Sequence, residues 1–173
     1  MKYTVVDGHC DTPMELWLRQ ENLRSNPCQV SLERAKKLSG YVQFYAFCTV
    51  WLEQDGSFEA HYAAALEHFN RQLDENKDWI VRCKNEADAR AAIGSGKCGA
   101  FLSIEGAEGL SCDPGKLELA CAQGVRMIAP AWNAQNALTG SCMTGGGLTA
   151  QGKEFVRRAQ KLGMILDVSH ISE

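Results

Sequence analysis

The sequence lacks both a long apolar run and an excess of one charge. No stretch of about 18 consecutive apolar residues occurs, so a conventional membrane-spanning helix is not expected. Lysine and arginine number 18 against 21 aspartate and glutamate residues, and this balance does not favour nucleic acid as a partner. Met1 leads directly into strand-like sequence, which leaves no room for a signal peptide. We therefore expect a cytoplasmic protein with neither a membrane span nor a nucleic-acid partner.

Two short motifs are also missing. The chain has eight cysteines but no C-x-x-C pair, and cysteines such as Cys48 and Cys121 lie within apolar stretches. A cysteine in such a stretch behaves as a small buried hydrophobic residue, so reduced thiols are expected in place of disulfides.

No G-x-G-x-x-G motif follows the first apolar run, and this absence argues against a dinucleotide-binding sheet.

Strand-like and helix-like segments alternate along the chain. The predicted strands are Tyr3–Cys10, Tyr41–Trp51, Cys98–Ile104, Val125–Ala131 and Met164–Val168, and Ile80–Cys83 is predicted to be a short extended piece. The predicted helices are Phe58–Asn76, Glu86–Ile93, Lys116–Gln123 and Thr149–Leu162. A polar connection that begins at Pro13 and an amphipathic piece over Leu32–Leu38 separate the first two strands. Repeated strand–helix–strand units predict a parallel sheet with right-handed crossovers.

Two α/β architectures fit this alternation, an open doubly wound sheet and a (β/α)₈ barrel. Polar residues follow several strands, and barrel enzymes place their catalytic groups at the carboxyl ends of their strands. We therefore predict a TIM-type barrel. Only about five of the eight strands are present, and a complete barrel needs about 250 residues. Residues 1–173 are accordingly predicted to be the N-terminal part of a single hydrolase barrel domain, truncated at its C-terminus.

Four potential metal ligands stand at the ends of apolar runs. His9 and Asp11 end the first run, and a strand period of two places them on the same side with Cys10 facing away. Glu105 and His170 follow two later runs. Imidazole and carboxylate groups are good Zn²⁺ ligands, and two cations could share Glu105 as a bridging carboxylate.

The order of these motifs along the chain resembles the membrane (renal) dipeptidase family, peptidase family M19, within the amidohydrolase-type barrels. The resemblance rests on Val6–Pro13, Gly40–Phe44, Ser103–Gly106, Gly147–Thr149, Gly152–Val156 and Leu162–His170. It covers almost the whole chain in the order of the family. The combination is specific, although each segment alone is not.

This resemblance implies a binuclear zinc site and hydrolysis of a dipeptide amide bond by a metal-bridged hydroxide. His9 and Asp11 would bind the first ion, Glu105 would bridge both ions as the catalytic carboxylate, and His170 would bind the second. A further histidine of the family falls beyond residue 173, so the second site is expected to be incomplete in this chain. The implied partner is a dipeptide substrate.

The sequence departs from the family after the fifth predicted extended segment. Many members carry a substrate-contacting histidine there, whereas this chain has Trp132 followed by Asn133. We predict that Trp132 and Asn133 contribute to substrate binding, with Asn136 as another possible hydrogen-bond donor and packing as the alternative role of Trp132. A long loop is predicted over Asn133–Gly147, and its Gly145–Gly147 run is predicted to be a flexible active-site loop, with phosphate binding as the alternative.

Two other functions remain open at this point. The chain could be an inactive remnant or a partial barrel that acts only as a binding or assembly partner, as a homo-oligomer or paired with the missing C-terminal half. Alternatively, the same barrel and its two metal ions could hydrolyse another amide or an ester. On its own, the chain is expected to be inactive and to self-associate through unpaired strand edges.

Overall fold

The computed structural model describes residues 3–52 and 57–172 and shows an alternating α/β fold. The strands are β1 (Thr4–Cys10), β2 (Gly40–Cys48), β3 (Ile80–Arg82), β4 (Cys98–Glu105), β5 (Val125–Ala129) and β6 (Ile165–Leu166). The helices are α1 (Thr12–Arg19), α2 (Leu32–Ala35), α3 (Phe58–Glu75), α4 (Glu86–Gly94), α5 (Leu117–Gln123) and α6 (Ala150–Lys161), with 3₁₀ turns at Ala107–Leu110 and Pro114–Lys116. The predicted domain limits, residues 1 and 173, lie outside the described residues.

The sheet has the strand order β1–β2–β4–β5–β6, and β3 pairs with β4 outside this path. The pairs β1–β2, β3–β4 and β5–β6 are parallel. Parallel neighbours joined through helices are the arrangement of a (β/α)₈ barrel. The predicted fold class, part of such a barrel with about five of its strands, is confirmed.

The first helix was not expected from the sequence. The predicted polar connection after β1 instead begins with α1, in which Pro13 occupies the first turn and Met14 and Leu16 are buried. Proline suits this turn because its missing N–H would have no helical partner there. An ion pair between Glu15 and Arg19, one helical turn apart, adds a small stabilisation.

Three strands end two or more residues earlier than predicted. β2 ends at Cys48 instead of Trp51, and β5 ends at Ala129, directly before Pro130. β6 contains only Ile165–Leu166 of the predicted Met164–Val168. The helix predicted over Thr149–Leu162 is confirmed as α6, with Thr149 as its N-cap, whose hydroxyl accepts the Gly152 N–H at 3.0 Å.

Contacts divide the chain into two compact units. The first comprises residues 1–47 and 63–102. Its core contains the aromatic rings of Tyr45, Phe47 and Phe69, with ring centroids 4.8 Å apart for Tyr45 and Phe69 and 5.9 Å apart for Phe47 and Phe69. All three side chains are almost fully buried. Aromatic packing of this kind fixes the positions of β2 and α3 within the unit.

The second unit comprises residues 48–62 and 103–173. Helices α5 and α6 contact each other, and α5 and α6 contact β5 and β6, respectively. The fully buried side chains of Leu117 and Phe155 lie in this layer. These contacts position the carboxyl ends of β5 and β6, after which Asn133 and His170 follow.

β1 exposes apolar side chains on its surface. Tyr3, just before the strand, is 74% exposed, and Val6 within it is 65% exposed. Ile165 in β6 and Val168 just after it are exposed as well. Among the helices of residues 3–52 and 57–172, none is long and apolar enough to cross a membrane.

Candidate functional site

The carboxyl end of β1 brings His9 and Asp11 together. His9 Nε2 lies 3.4 Å from Asp11 Oδ1, and both side chains are exposed. Cys10 between them is buried, with 8% of its surface exposed, while His9 and Asp11 on either side of it are exposed. Asp11 itself lies beyond the strand, at the residue that precedes α1.

A β-bulge gives this strand end its shape. β1 and β2 are in register from Thr4–Gly40 to Asp7–Gln43, and the register shifts before Cys10 pairs with Tyr45. Within the bulge, the backbone N–H of His9 donates to Asp7 Oδ1 at 3.1 Å. Bulges change the direction of side chains at strand ends and are common beside active sites. Here the bulge determines where the imidazole of His9 projects.

A cleft of about 510 Å³ lies beside this pair. It is lined by Asp7, His9, Cys10, Asp11, Thr12, Glu15, Arg19 and the segment 27–30. Burial raises the pKa of the Cys10 thiol to about 12, with smaller contributions in the same direction from Asp7 and Asp11. Cys10 is therefore a neutral packing residue at physiological pH, as the strand alternation predicted.

A second pair forms at the ends of β4 and β6, where Glu105 Oε1 lies 2.9 Å from His170 Nε2. Glu105 is the last residue of β4 and only 8% exposed. A carboxylate at such a depth is costly unless cationic or hydrogen-bonding groups surround it. The next residue, Gly106, turns the chain with a φ of 84°. A Cβ at Gly106 would lie 2.6 Å from the Val50 side chain, so only glycine fits beside Glu105.

Trp132 and Asn133, which follow β5, lie beside the ring of His170. Asn133 Oδ1 lies 3.1 Å from His170 Nδ1, so the two nitrogens of this ring face different partners. The Trp132 ring centroid is 6.3 Å from that of His170, at an interplanar angle of 47°. The sequence assigned Trp132 and Asn133 to substrate binding, and their contacts with His170 were not expected. No signal in the sequence identifies these contacts, because residues 133 and 170 are distant along the chain.

The loop over 133–148 is hydrogen-bonded to the segment around His170. Ser141 Oγ donates to the backbone carbonyl of Asn133 at 2.7 Å, and Ser141 is fully buried. The backbone N–H of Cys142 donates to the carbonyl of His170 at 2.8 Å, and Ser141 forms an isolated antiparallel bridge with Ile171. The sequence did not indicate this role of Ser141.

Asn136 stabilises the same loop. Its side-chain nitrogen donates to Glu108 Oε1 at 2.9 Å and to the Pro130 carbonyl at 2.8 Å. Its side-chain oxygen accepts the backbone N–H groups of Leu138 and Thr139. All these bonds are internal, so the hypothesis that Asn136 donates to a substrate is not needed to explain its position.

Each of the two pairs offers ligand types that suit a divalent metal ion. His9 and Asp11 offer an imidazole nitrogen and a carboxylate oxygen, and so do His170 and Glu105. Zn²⁺ accepts imidazole nitrogen and carboxylate oxygen. A metal-binding histidine usually donates its other ring N–H to an oxygen, and the contact between His170 Nδ1 and Asn133 Oδ1 matches this arrangement.

Comparison of the sequence with known families gives one match along the full length. The model of the membrane dipeptidase family (peptidase family M19) matches residues 1–173. An uncharacterised protein from the PQQ-III 3′ region of Acinetobacter calcoaceticus is 33% identical over 116 residues, which are 62% of this chain and 36% of that protein. The dipeptidase tcpJ of Claviceps purpurea is 28% identical over 131 residues, which are 70% of this chain and 31% of that protein. The matched regions thus span about a third of the length of these relatives.

Solved structures share the fold. A metallo peptidase from Rhodobacter sphaeroides, solved with a phosphinate mimic of the dipeptide L-Ala-D-Ala, has a TM-score of 0.84 at 21% identity. The match covers the entire chain and 60% of that protein. The dipeptidase AC, a metallo peptidase of family M19, also has a TM-score of 0.84, at 23% identity, with 100% of this chain and 58% of that protein covered. The fold and the full-length family match agree, and the chain belongs to the membrane dipeptidase family, peptidase family M19.

Proposed function

We propose that the protein containing this chain is a zinc dipeptidase that hydrolyses the amide bond of dipeptides. The observation that carries the proposal is the pair Glu105–His170, which places an imidazole nitrogen 2.9 Å from a buried carboxylate at strand ends. The match to the membrane dipeptidase family over residues 1–173 supports the substrate class. So does the name of one relative, the dipeptidase tcpJ.

In this proposal, four side chains of the chain hold two divalent ions. His9 and Asp11 would hold the first ion, His170 would hold the second, and Glu105 would be the carboxylate shared by both. A further histidine from outside these 173 residues would complete the second site. Two neighbouring divalent ions supply a Lewis acid for the substrate carbonyl and lower the pKa of a bound water. Nitrogen and oxygen ligands are the types that Zn²⁺ accepts.

The residues around the proposed centre have separate tasks. Asn133 contacts His170 through its side-chain oxygen and so restricts rotation of the ring. Trp132 lies beside the same ring and would form an apolar wall against the substrate. The buried position of Glu105 limits access of water to its carboxylate and strengthens its attraction for cations.

Metal analysis and a dipeptide assay of the complete protein test this function. We expect about two divalent ions per chain and hydrolysis of unsubstituted dipeptides that stops after chelation and returns with added Zn²⁺. Glu105→Gln should lower both metal content and turnover, the latter by several orders of magnitude, because it removes the bridging charge. Glu118→Gln, at an exposed carboxylate near Arg158, is the matched control and should retain both. Wild-type turnover in Glu105→Gln would remove Glu105 from the site.

Location and assembly complete the proposal. We expect the protein in the cytoplasm, and cell fractionation measures this directly. A homo-oligomer, or pairing of this chain with the remaining part of the barrel, would cover the exposed apolar side chains of β1. Gel filtration of the complete protein distinguishes a monomer from an oligomer.

A further inference from the structure

We infer that Asn133 is a positioning residue that keeps a proton on Nδ1 of His170 and thereby directs Nε2 toward the metal ion. This inference rests on the proposed metal centre. It goes beyond that proposal because it gives Asn133 a role in metal affinity, whereas the sequence assigned Asn133 to the substrate.

The chemistry of the two side chains determines the direction of the hydrogen bond. Asn133 Oδ1, 3.1 Å from His170 Nδ1, is an amide oxygen and can only accept. The ring nitrogen must therefore donate, so its proton resides on Nδ1. In a neutral imidazole, Nε2 then carries the lone pair. Nε2 lies 2.9 Å from Glu105 Oε1, a carboxylate oxygen that can only accept, so without a cation Nε2 donates to Glu105, and a bound cation would take the place of that proton.

Hydrogen bonds to the backbone hold both Asn133, the acceptor, and His170, the donor, in position. Ser141 Oγ donates to the carbonyl of Asn133 at 2.7 Å, while the N–H of Cys142 donates to the carbonyl of His170 at 2.8 Å. Two consecutive residues of one loop thus hold the backbones of both hydrogen-bonding partners. The hydroxyl of Ser141 also accepts the backbone N–H groups of Met143 and Thr144 at 3.2 and 3.3 Å, which fixes its own orientation.

A pair of substitutions tests the role of the acceptor oxygen of Asn133. Asn133→Ala removes the acceptor, and Asn133→Asp retains an oxygen at the same position. In the complete protein, we expect Asn133→Ala to weaken Zn²⁺ binding about 10- to 100-fold in competition with a chromophoric chelator. We expect the Zn²⁺ affinity of Asn133→Asp to lie within about threefold of the wild-type affinity or above it. Asn22→Ala, which removes an exposed asparagine that contacts the Ser25 N–H, is the matched control.

Nitrogen-15 NMR of the imidazole gives a readout that a purely structural role would not change. These 173 residues contain four histidines, and comparison with His170→Gln identifies the His170 signals in the complete protein. In the metal-free protein, wild type and Asn133→Asp should show a proton on Nδ1 of His170, whereas Asn133→Ala should show a lower proton occupancy at Nδ1, because Nε2 still faces an acceptor in Glu105 and Nδ1 has lost its own. Unchanged Zn²⁺ affinity and an unchanged Nδ1 proton in Asn133→Ala would overturn the inference. Equal weakening in the Ala and Asp variants would also overturn it, because retention of an oxygen acceptor at residue 133 would then make no difference.

The same measurements distinguish failure of the inference from failure of the proposed function. If the wild-type protein binds Zn²⁺ and hydrolyses dipeptides but Asn133→Ala retains wild-type affinity and tautomer, only the role of Asn133 is wrong. If the wild-type protein binds no divalent ion while the Nδ1 proton still depends on Asn133, the metal centre is wrong and the assignment of the proton stands.

Discussion

Replacing Gly140 by alanine should open the loop that holds His170, because no space exists for a side chain at this position. A Cβ on Gly140 would lie 1.8 Å from the carbonyl oxygen of Gly145 and 2.7 Å from that of Gly146. Real Cβ atoms do not approach other atoms closer than 3.0 Å, so the two sides of the loop must separate by more than about 1 Å. The atoms in the way belong to the backbone and cannot rotate aside.

The magnitude follows from the hydrogen bonds that such a separation breaks. The carbonyl of Ser141 accepts the N–H groups of Thr144 at 3.1 Å and Gly145 at 2.8 Å, and the N–H of Cys142 donates to His170. At about 1 kcal/mol for each of these three bonds, the loop loses about 3 kcal/mol, or about a hundredfold in its opening equilibrium. Exchange of the Cys142 amide hydrogen should accelerate by a similar factor.

Gly147→Ala is the matched control in the same loop. Nothing lies within 4 Å of a Cβ at Gly147, so its alanine variant should unfold in urea within about 0.5 kcal/mol of wild type. Amide exchange by mass spectrometry and urea unfolding followed by tryptophan fluorescence measure both variants. If Gly140→Ala exchanges its Cys142 amide as slowly as Gly147→Ala and unfolds at the same urea concentration, the argument from close backbone packing is refuted.

Three further predictions concern substrate, pH and assembly. Trp132→Ala should raise KM about tenfold and change kcat less than about twofold in the dipeptide assay, since we place its ring in the wall of the substrate site; a selective fall in kcat would contradict this role. Burial raises the pKa of the Cys83 and Cys112 thiols to about 11 from a usual value of 9.0. These thiols therefore lose their protons at lower pH in the unfolded state than in the folded state. The free energy of unfolding should fall as pH rises from about 9 to 11. Urea titrations at pH 8 and 10 measure this change, and equal stability at both values would be inconsistent with it. The isolated 173-residue chain should self-associate in gel filtration, because Val6 and its neighbours expose apolar surface on β1; a monomer at micromolar concentration would show that this surface is tolerated.

The alternation of strands and helices was predictable because apolar periodicity reports burial directly. β4 is buried along nearly its whole length, and its apolar run identified both the strand and Glu105 at its end. α3 repeats Leu66, Phe69 and Leu73 on its buried face, which made this helix equally recognisable. In such segments the residues that favour the secondary structure are also the residues that pack in the core, so the apolar pattern identifies the element from the sequence.

Other features depend on contacts that the sequence does not display. α1 was missed because Thr12 and Pro13 suggest a turn, and only the burial of Met14 and Leu16 stabilises a helix of this length. The hydrogen bond from His170 to Asn133 joins residues 37 positions apart through the fold of β5 and β6. Residue types suggested the candidate ligands, whereas the orientation of each ring is decided by neighbours that are distant along the chain.

The bulge in β1 has a consequence for protein engineering. Because the register shifts between Asp7 and Cys10, the direction of the His9 side chain is set by backbone geometry and not by the apolar residues earlier in the strand. The surface of the strand around Val6 can therefore be redesigned for solubility without rotating the imidazole. A designer who transplants the His9–Asp11 pair into another barrel must copy the irregular backbone with it. Transfer of the two side chains onto a regular strand would direct them elsewhere.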